Sequence, residues 1–469
     1  MVDNFKGKRV LVMGLGLHGG ALSVVKWLLK HKAVITITDL KTKVQLKDSL
    51  DKLSKLARSK KIKYTLGRHN VSDFINQDLI IKNPGVASDN KFLKVARKNN
   101  IAIVNEAVMF FGLYAGSSIG VTGTRGKSTV STLIHKILKT SIKTNVVAGN
   151  IATNPMFDVL NKLKVNSLPV IELSSWHLET MDSYKVSPHI AVVTNVLNDH
   201  LNRYKNFNEY KKAKQAIAKH QVKRDILVLN YDNVVSRSFS KISKANVYFY
   251  SLRKKVRGVY LKKDKIYFND RSKTSLVMDI NNIKVLGKHN LSNVLAAVCV
   301  AKVVGVNNKN IAKAVNSFKG VAYRLEYKTN IDGLDIYNDS TSTTPDASLA
   351  AIDAMGKRKI ILVAGGEDKR LDYDKLAKKI KSKVVYTVLL RGSASDKLKK
   401  ELVKIKYPKN KIVTDITSLK MAFKLGWQAK YMGDVILFSP AGASFNMFDN
   451  EFDRARQFDA LIYEKQKKK

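Results

Sequence analysis

Gly120-Val-Thr-Gly-Thr-Arg-Gly-Lys-Ser-Thr129 follows a short apolar run, Ser118-Ile-Gly-Val121, and precedes a helical pattern with apolar residues at Val130, Leu133, Ile134, Ile137 and Leu138. Strand, glycine-rich loop and amphipathic helix in that order make a phosphate-binding unit. Glycines let the backbone wrap phosphate oxygens, Lys127 reaches the β- and γ-phosphates, and Ser128 is placed to ligate Mg²⁺. The strict P-loop spacing asks for glycine at Val121, six residues before Lys127, whereas the glycines here are Gly120 and Gly123. The loop is therefore a variant, and by itself it says only that phosphate binds.

Working outward, strands and helices alternate on both sides of this loop. Upstream, Arg9–Met13, Val34–Thr38, Leu79–Ile81 and Ile101–Val104 read as strands, with a helix over Ala21–Leu29. Downstream, Leu168–Glu172, Ile190–Thr194 and Ile226–Leu229 continue the series. A strand-rich patch covers about 245–286, and a helix spans His289–Val304. A last series holds Lys359–Ala364, Tyr386–Leu390 and Asp434–Phe438. Such βαβ alternation predicts an α/β protein with mainly parallel sheets. Neither an internal repeat nor a low-complexity tract interrupts it.

A second glycine loop, Gly14-Leu-Gly-Leu-His-Gly19, follows the first strand, and Asp39 lies twenty residues beyond Gly19. This is the dinucleotide fingerprint, in which helix-start amides bind a pyrophosphate. Taken alone it fits an NAD-dependent redox enzyme or a purely structural tight turn. A dehydrogenase has no use for the second phosphate loop, whereas a ligase acting on a nucleotide-linked substrate needs both.

Three further residues bear chemistry. Glu172 and His200 each follow a strand, so a parallel sheet brings them to the edge that carries the phosphate loop. There they suit metal ions bridging ATP phosphates, or else they are loop residues with local hydrogen bonds. Lys214 shares a face with Tyr210, Ala213 and Ile217 on a helix that Asn208 is expected to cap and that runs to about His220. A lysine within an apolar stripe either snorkels to solvent or is functional.

Composition narrows the classes. The 469 residues carry 84 Lys and Arg against 38 Asp and Glu, a net charge of +46. That charge suits a nucleic-acid-binding ATPase or an acidic substrate, but the lysines spread along the whole chain, as on solvated faces, apart from the tail Lys465–Lys469. No specific nucleic-acid partner is expected. The single cysteine, Cys299, sits in an apolar run, which excludes an internal disulfide and a thiolate zinc site and fits a reducing compartment. Neither a signal peptide nor a membrane span is expected.

The motifs together resemble the Mur ligases of peptidoglycan synthesis, over the full length and in the family's order. Gly120–Thr129 is similar to the family's phosphate loop, and Glu172-Leu-Ser-Ser-Trp176 to its E-L-S-S-aromatic segment. Asn198–Tyr204 is similar to its D-H-x-D-R-Y segment, with Asn202 in place of the usual Asp, and Tyr210–Lys214 to its Y-x-x-A-K. Gly287–Asn293, Tyr323-Arg324, Asn338–Ser340, Gly365–Lys369 and Ser439–Ser444 with Phe452 complete the set. The resemblance is nearest to members that join glutamate to UDP-N-acetylmuramoyl-L-alanine.

What the resemblance implies is specific. It gives a Rossmann-like N-terminal domain (1–110) for the UDP end, a central P-loop-type ATPase domain (111–318), and a Rossmann-like C-terminal domain (319–469) for the amino acid. The UDP-linked substrate falls to Gly14, Leu17, His18, Asp39, Lys41, Gly85 and Asn150. ATP falls to Gly123, Thr124, Arg125, Gly126, Lys127, Ser128, Thr129, Asn290, Asn293, Arg324 and Asp339, and the incoming glutamate to Thr343, Lys369, Ser444 and Phe452. Two Mg²⁺ ions are implied, on Ser128, Glu172, His200 and a carbamylated Lys214, and Lys127, His200 and Lys214 are the catalytic set. The expected chemistry is an acyl phosphate on the substrate carboxylate, captured by the amine of glutamate, in a cytoplasmic monomer. Arg125 departs from the family's common Asn, either adding a phosphate contact or facing solvent. Thr341 stands where a lysine is common, leaving D- and L-glutamate both open, and Asp39-Leu-Lys41 replaces a D-T-R-type run. Another Mur-superfamily step and folylpolyglutamate synthesis are the alternatives within the superfamily.

Overall fold

The computed structural model describes residues 4–17, 19–55, 62–151, 154–200, 203–444 and 447–467. Three sheets succeed one another along the chain. The first holds β1 (Arg9–Met13), β2 (Val34–Asp39), β3 (Ile62–Leu66), β4 (Leu79–Lys82) and β5 (Ala102–Val104), all parallel, in the order β3-β2-β1-β4-β5. The strand order reverses between β1 and β4, and at such a switch point the loops diverge and leave a crevice at the carboxyl ends of the strands.

The second sheet holds β6 (Ile119–Thr122), β7 (Val147–Gly149), β8 (Val170–Glu172), β9 (Ile190–Val193), β10 (Ile226–Asn230), β11 (Asn246–Ser251), β12 (Gly258–Lys262), β13 (Lys265–Asn269) and β14 (Thr274–Asp279). Its order is β14-β13-β12-β11-β10-β9-β6-β8-β7, parallel from β7 through β12 and antiparallel at β13 and β14. The strand feeding the phosphate loop is therefore flanked by β8 and β9. The third sheet holds β15 (Glu326–Ile331), β16 (Leu334–Asn338), β17 (Ile360–Gly365), β18 (Val384–Leu390), β19 (Ile412–Ile416) and β20 (Val435–Phe438), ordered β15-β16-β20-β17-β18-β19, with only β15 antiparallel.

Period-two packing shows why β17 and β20 are unbroken apolar runs. Ile360, Leu362, Ala364, Val435 and Leu437 join one core cluster, while Ile361, Val363, Ile436 and Phe438 join another. Alternate residues face opposite sides, and both sides are covered, as a parallel sheet requires.

The chain divides into two compact units. One comprises Met1–Asp199, Phe207–Asn281 and Asn293–Val315, the other His200–Asn206, Asn282–Ser292 and Asn316–Lys469. The expected strands all form, with ends shifted by two residues or fewer. The strands not foreseen include the amphipathic edge segment Ile62-Lys-Tyr-Thr-Leu66, the short edge segment Val147-Ala-Gly149 and Leu334–Asn338 inside the third sheet. The helix bearing Lys214 starts at Phe207, so Asn208 lies in its first turn and is not its cap. Cys299 is buried, and burial pushes its thiol up to about 12, so it is an inert core residue. Among the described residues no helix is long and apolar enough to cross a membrane.

Candidate active site

In the first compact unit, the loop after β6 turns at Gly126, whose φ of 85° is left-handed, and the helix Lys127–Leu138 begins at once. A Cβ on Gly126 would come within 2.3 Å of the Asn293 side-chain oxygen, so glycine is required there by backbone conformation and by space. Ser128 and Thr129 occupy the first turn of this helix, both buried, where unpaired amides and the helix dipole favour an anion.

Two lysine amines converge on this loop. Lys127 Nζ donates to Gly123 O at 3.0 Å and to Thr124 O at 3.2 Å, and Lys214 Nζ donates to the same Gly123 O at 2.9 Å. The amines thus lie within about 6 Å of each other, where two full ammonium charges repel strongly in a poorly solvated site. Lys214 is only 2% exposed. Burial, followed by the Lys127 charge, holds its amine well below the ordinary lysine value. Snorkelling is thereby excluded: the side chain points into the loop, lies 4.8 Å from the Tyr210 ring centre, and reaches no solvent.

Glu172 ends β8, adjacent to β6. Its Oε1 accepts from Asn150 Nδ2 at 3.0 Å, while its Oε2 is buried with no hydrogen-bond partner. An orphaned carboxylate oxygen beside a phosphate loop fits a cation ligand, because a buried anion otherwise needs a donor. Among the described residues no three His, Cys, Asp or Glu converge. A site of one carboxylate and one hydroxyl suits Mg²⁺, which takes few protein ligands and completes its shell with phosphate and water.

The partly exposed Arg125 side chain is engaged by a buried acid. Its Nη1 donates to Asp199 Oδ2 at 2.9 Å in an ion pair whose carboxylate is almost wholly buried. Its backbone is clamped as well: the amide donates to Asn195 Oδ1 at 2.9 Å, and the carbonyl accepts from Thr194 Oγ1 at 2.6 Å. Arg125 therefore fastens the phosphate loop to the segment that follows β9.

The Gly14 loop sits at the switch point of the first sheet. A Cβ on Gly14 would meet Asn83 Cβ at 2.9 Å, and Asn83 Nδ2 donates to Gly14 O at 3.2 Å. Asp39, at the end of β2, accepts from Gly16 N at 3.1 Å and Lys41 N at 2.9 Å. Leu17, Lys41, Gly85 and Asn150 are exposed at this end of the molecule's first unit, and His18 lies outside the described residues.

His200, Asn290, Arg324, Asp339 and the four expected amino-acid-site residues belong to the second unit. His200 has a φ of 55°, and Asn290 Nδ2 donates to Leu286 O at 2.9 Å. Asp339 follows β16 and accepts from Leu325 N at 2.8 Å, Ser342 Oγ at 2.5 Å and Ser439 Oγ at 2.7 Å. Burial, partly offset by the two serine hydroxyls, raises its carboxyl to about 6. The acid therefore braces two loops as it stands. Lys369 Nζ reaches Thr343 Oγ1 at 3.0 Å, and Ser444 Oγ is buried without a partner. Phe452 lies edge-on to Tyr323, with ring centres 6.5 Å apart. Thr341 donates to Tyr323 O at 2.8 Å, a bond that takes up its hydroxyl.

Residues that sequence reasoning passed over are Asn83, Thr194, Asn195 and Asp199. Asp199 stood inside a recognised motif, but the motif drew attention to His200. Asn83, Thr194 and Asn195 act through hydrogen bonds to loops distant in sequence, for which single-residue identity gives no signal.

The chain matches the MurD-like N-terminal domain of Mur ligases over residues 8–105, the Mur ligase middle domain over 121–301, and the Mur ligase glutamate ligase domain over 323–442. Similar curated proteins include the UDP-N-acetylmuramoylalanine–D-glutamate ligase of Roseiflexus sp. (strain RS-1), 34% identical over 97% of this chain and 98% of that one. That of Borreliella burgdorferi is 34% identical over 98% and 99%. Among solved structures, UDP-N-acetylmuramate–alanine ligase MurC of Thermotoga maritima aligns with a TM-score of 0.63 at 19% identity, covering 98% of this chain and 100% of that one. A MurF ligase of the same organism in complex with ADP aligns at 0.59 and 17% identity, covering 99% and 96%. At these identities the structural likeness speaks for the fold alone.

Proposed function

The chain belongs to the Mur ligase family, and from that premise we propose that it joins D-glutamate to UDP-N-acetylmuramoyl-L-alanine, using ATP, in peptidoglycan precursor synthesis. One observation carries this reading: the Lys127 and Lys214 amines share the Gly123 carbonyl at the start of a helix, next to a carboxylate with an orphaned oxygen. A phosphate loop that serves binding alone has no need of a second, buried amine.

Each residue then has a task. Lys127 exchanges its loop carbonyls for phosphate oxygens and neutralises the charge that develops as the γ-phosphoryl moves to the substrate carboxylate. Ser128 and Glu172 would hold a Mg²⁺, which supplies charge neutralisation between the phosphates. Lys214, whose amine burial holds well below the ordinary lysine value, can as the free amine add CO₂ and release a proton, and the resulting carbamate would put an anion there to ligate a second metal together with His200. The glycine loop at Gly14, braced by Asp39 and Asn83, receives the UDP diphosphate. Adenine and ribose fall to Asn290, Asn293, Arg324 and Asp339. Thr343, Lys369, Ser444 and Phe452 receive glutamate, whose amine attacks the acyl phosphate, expels phosphate and loses a proton to give the amide. We retain the domain limits 1–110, 111–318 and 319–469 for these three tasks, and we propose a monomer in the cytoplasm, where ATP and UDP-linked sugars are found.

The test is ADP release with UDP-N-acetylmuramoyl-L-alanine and a panel of amino acids. Release that requires D-glutamate is expected. Release independent of any amino acid would remove the ligase reading, and release with L-glutamate alone would overturn the stereochemistry.

A further inference from the structure

Arg454 is among the largest fully buried side chains of the described residues and lies two residues beyond Phe452, in the helix Glu451–Lys467. Arginine in a helix usually extends its charge to solvent, because desolvating a guanidinium costs several kcal/mol. Here Nε, Nη1 and Nη2 all donate inward. Nε donates to Ser340 Oγ at 3.1 Å, Nη2 to Ser340 O at 2.8 Å, and Nη1 and Nη2 both to Gly442 O at 3.2 Å. Among the described residues no carboxylate lies within ion-pair distance of it; Glu451 and Asp339 act on it from further away, and its direct contacts are carbonyl and hydroxyl dipoles.

The anchored positions matter. Ser340 opens the loop that leads to Thr343, and Gly442 lies in the loop that leads to Ser444. The two loops are joined by Ala441 N donating to Ser342 O at 2.9 Å. Ser340 Oγ in turn donates to Glu451 O at 2.9 Å, closing the link back to the helix that carries Phe452. One guanidinium thus fixes the mutual positions of three elements bearing expected glutamate contacts. Burial lowers its pKa to about 10, against the pull of Glu451 and Asp339, which leaves it cationic at neutral pH.

We propose that Arg454 is a positioning and specificity-determining residue of the amino-acid site: its fork sets the Ser340–Thr343 and Gly442–Ser444 loops, and its charge, which no carboxylate contacts directly among the described residues, favours an amino acid with two carboxylates over a neutral isostere. The inference rests on the assignment of this site to glutamate. A buried cation that acidic groups offset only from beyond contact distance still leaves a positive potential on its surroundings, and an amino acid carrying a second carboxylate is stabilised by it more than its amide is.

The experiment compares wild type, Arg454→Met and Arg454→Lys with D-glutamate and D-glutamine, following ADP release, with KM for ATP measured alongside. For Arg454→Met we expect the D-glutamate over D-glutamine ratio of kcat/KM to fall about tenfold and KM for D-glutamate to rise by a similar factor, with KM for ATP within about twofold. Arg454→Lys, which keeps the charge but loses the fork, should restore most of the ratio while KM for D-glutamate stays raised. If Arg454→Met does not fold, as judged by circular dichroism, the lysine variant decides: a wild-type KM for D-glutamate there overturns the positioning role. An unchanged ratio in a folded Arg454→Met overturns the charge role. Wild-type enzyme that ignores glutamate altogether refutes the site assignment instead, an outcome separate from both.

Discussion

The loops at Gly14 and at Gly120 are built alike and equipped differently. Each follows an interior strand with a parallel neighbour on either side, turns on left-handed glycines and opens a helix whose amides face the loop. The first is braced by neutral and acidic side chains: Asn83 holds its carbonyl and Asp39 its amide. The second is charged throughout, with two amines on one carbonyl, an arginine paired to a buried aspartate, and a carboxylate with an unused oxygen. A cradle that only holds a diphosphate needs backbone amides and a rigid rim. A cradle where a phosphoryl group moves needs charges fixed in advance, because they act only if no reorganisation is required at the moment of reaction.

That contrast can be broken by experiment. The largest effect is expected at Lys127: Lys127→Ala should lower kcat by at least about 10³-fold while leaving KM for the UDP-linked substrate nearly unchanged. A loss confined to KM would reduce the second loop to a binding device like the first. Lys214→Ala should lose about 10²-fold or more in kcat and recover part of it with bicarbonate or another small carboxylate. Full activity in that variant would make Lys214 a packing residue. Glu172→Gln should raise the Mg²⁺ concentration needed for half-maximal rate about tenfold, read from a Mg²⁺ titration of ADP release. A wild-type titration curve would show that its orphaned oxygen does not ligate the metal. Asp39→Ala should raise KM for the UDP-linked substrate about tenfold with kcat within about twofold, as expected for a contact equal in ground and transition states. A fall in kcat there would extend catalysis to the first loop.

The smallest effect is expected at Arg125. Arg125→Asn installs the residue common in the family and leaves Asp199 without its ion pair, so the melting temperature should drop by about 2–4 °C while activity stays within about threefold. A loss as deep as that of Lys127→Ala would mean that Arg125 contacts phosphate during turnover and does more than fasten the loop.

Much of this was legible without coordinates, for physical reasons. Parallel strands buried on both faces must be apolar runs, so Arg9–Met13 and Ile360–Gly365 declare themselves. Phosphate loops must place glycine, lysine and serine at fixed spacing, so Gly123, Gly126, Lys127 and Ser128 stand out. The edge strand Ile62–Leu66 did not, because Lys63 and Tyr64, on opposite faces, are both exposed and break the apolar alternation. The cap at Asn208 was misplaced because the helix starts at Phe207, two residues before the start that a cap at Asn208 implies.

The sequence by itself therefore determined the α/β class, the order of the motifs and the chemistry of phosphate binding, since these depend on local periodicity and residue type. Only the tertiary structure decided where the charges went: Lys214 onto the carbonyl shared with Lys127, Arg125 onto Asp199, and Arg454 beneath the loops of Ser340 and Gly442. A charged side chain in a sequence carries no mark of whether water or a distant backbone will solvate it. That choice is made by packing, when burial removes water and some other dipole must take its place.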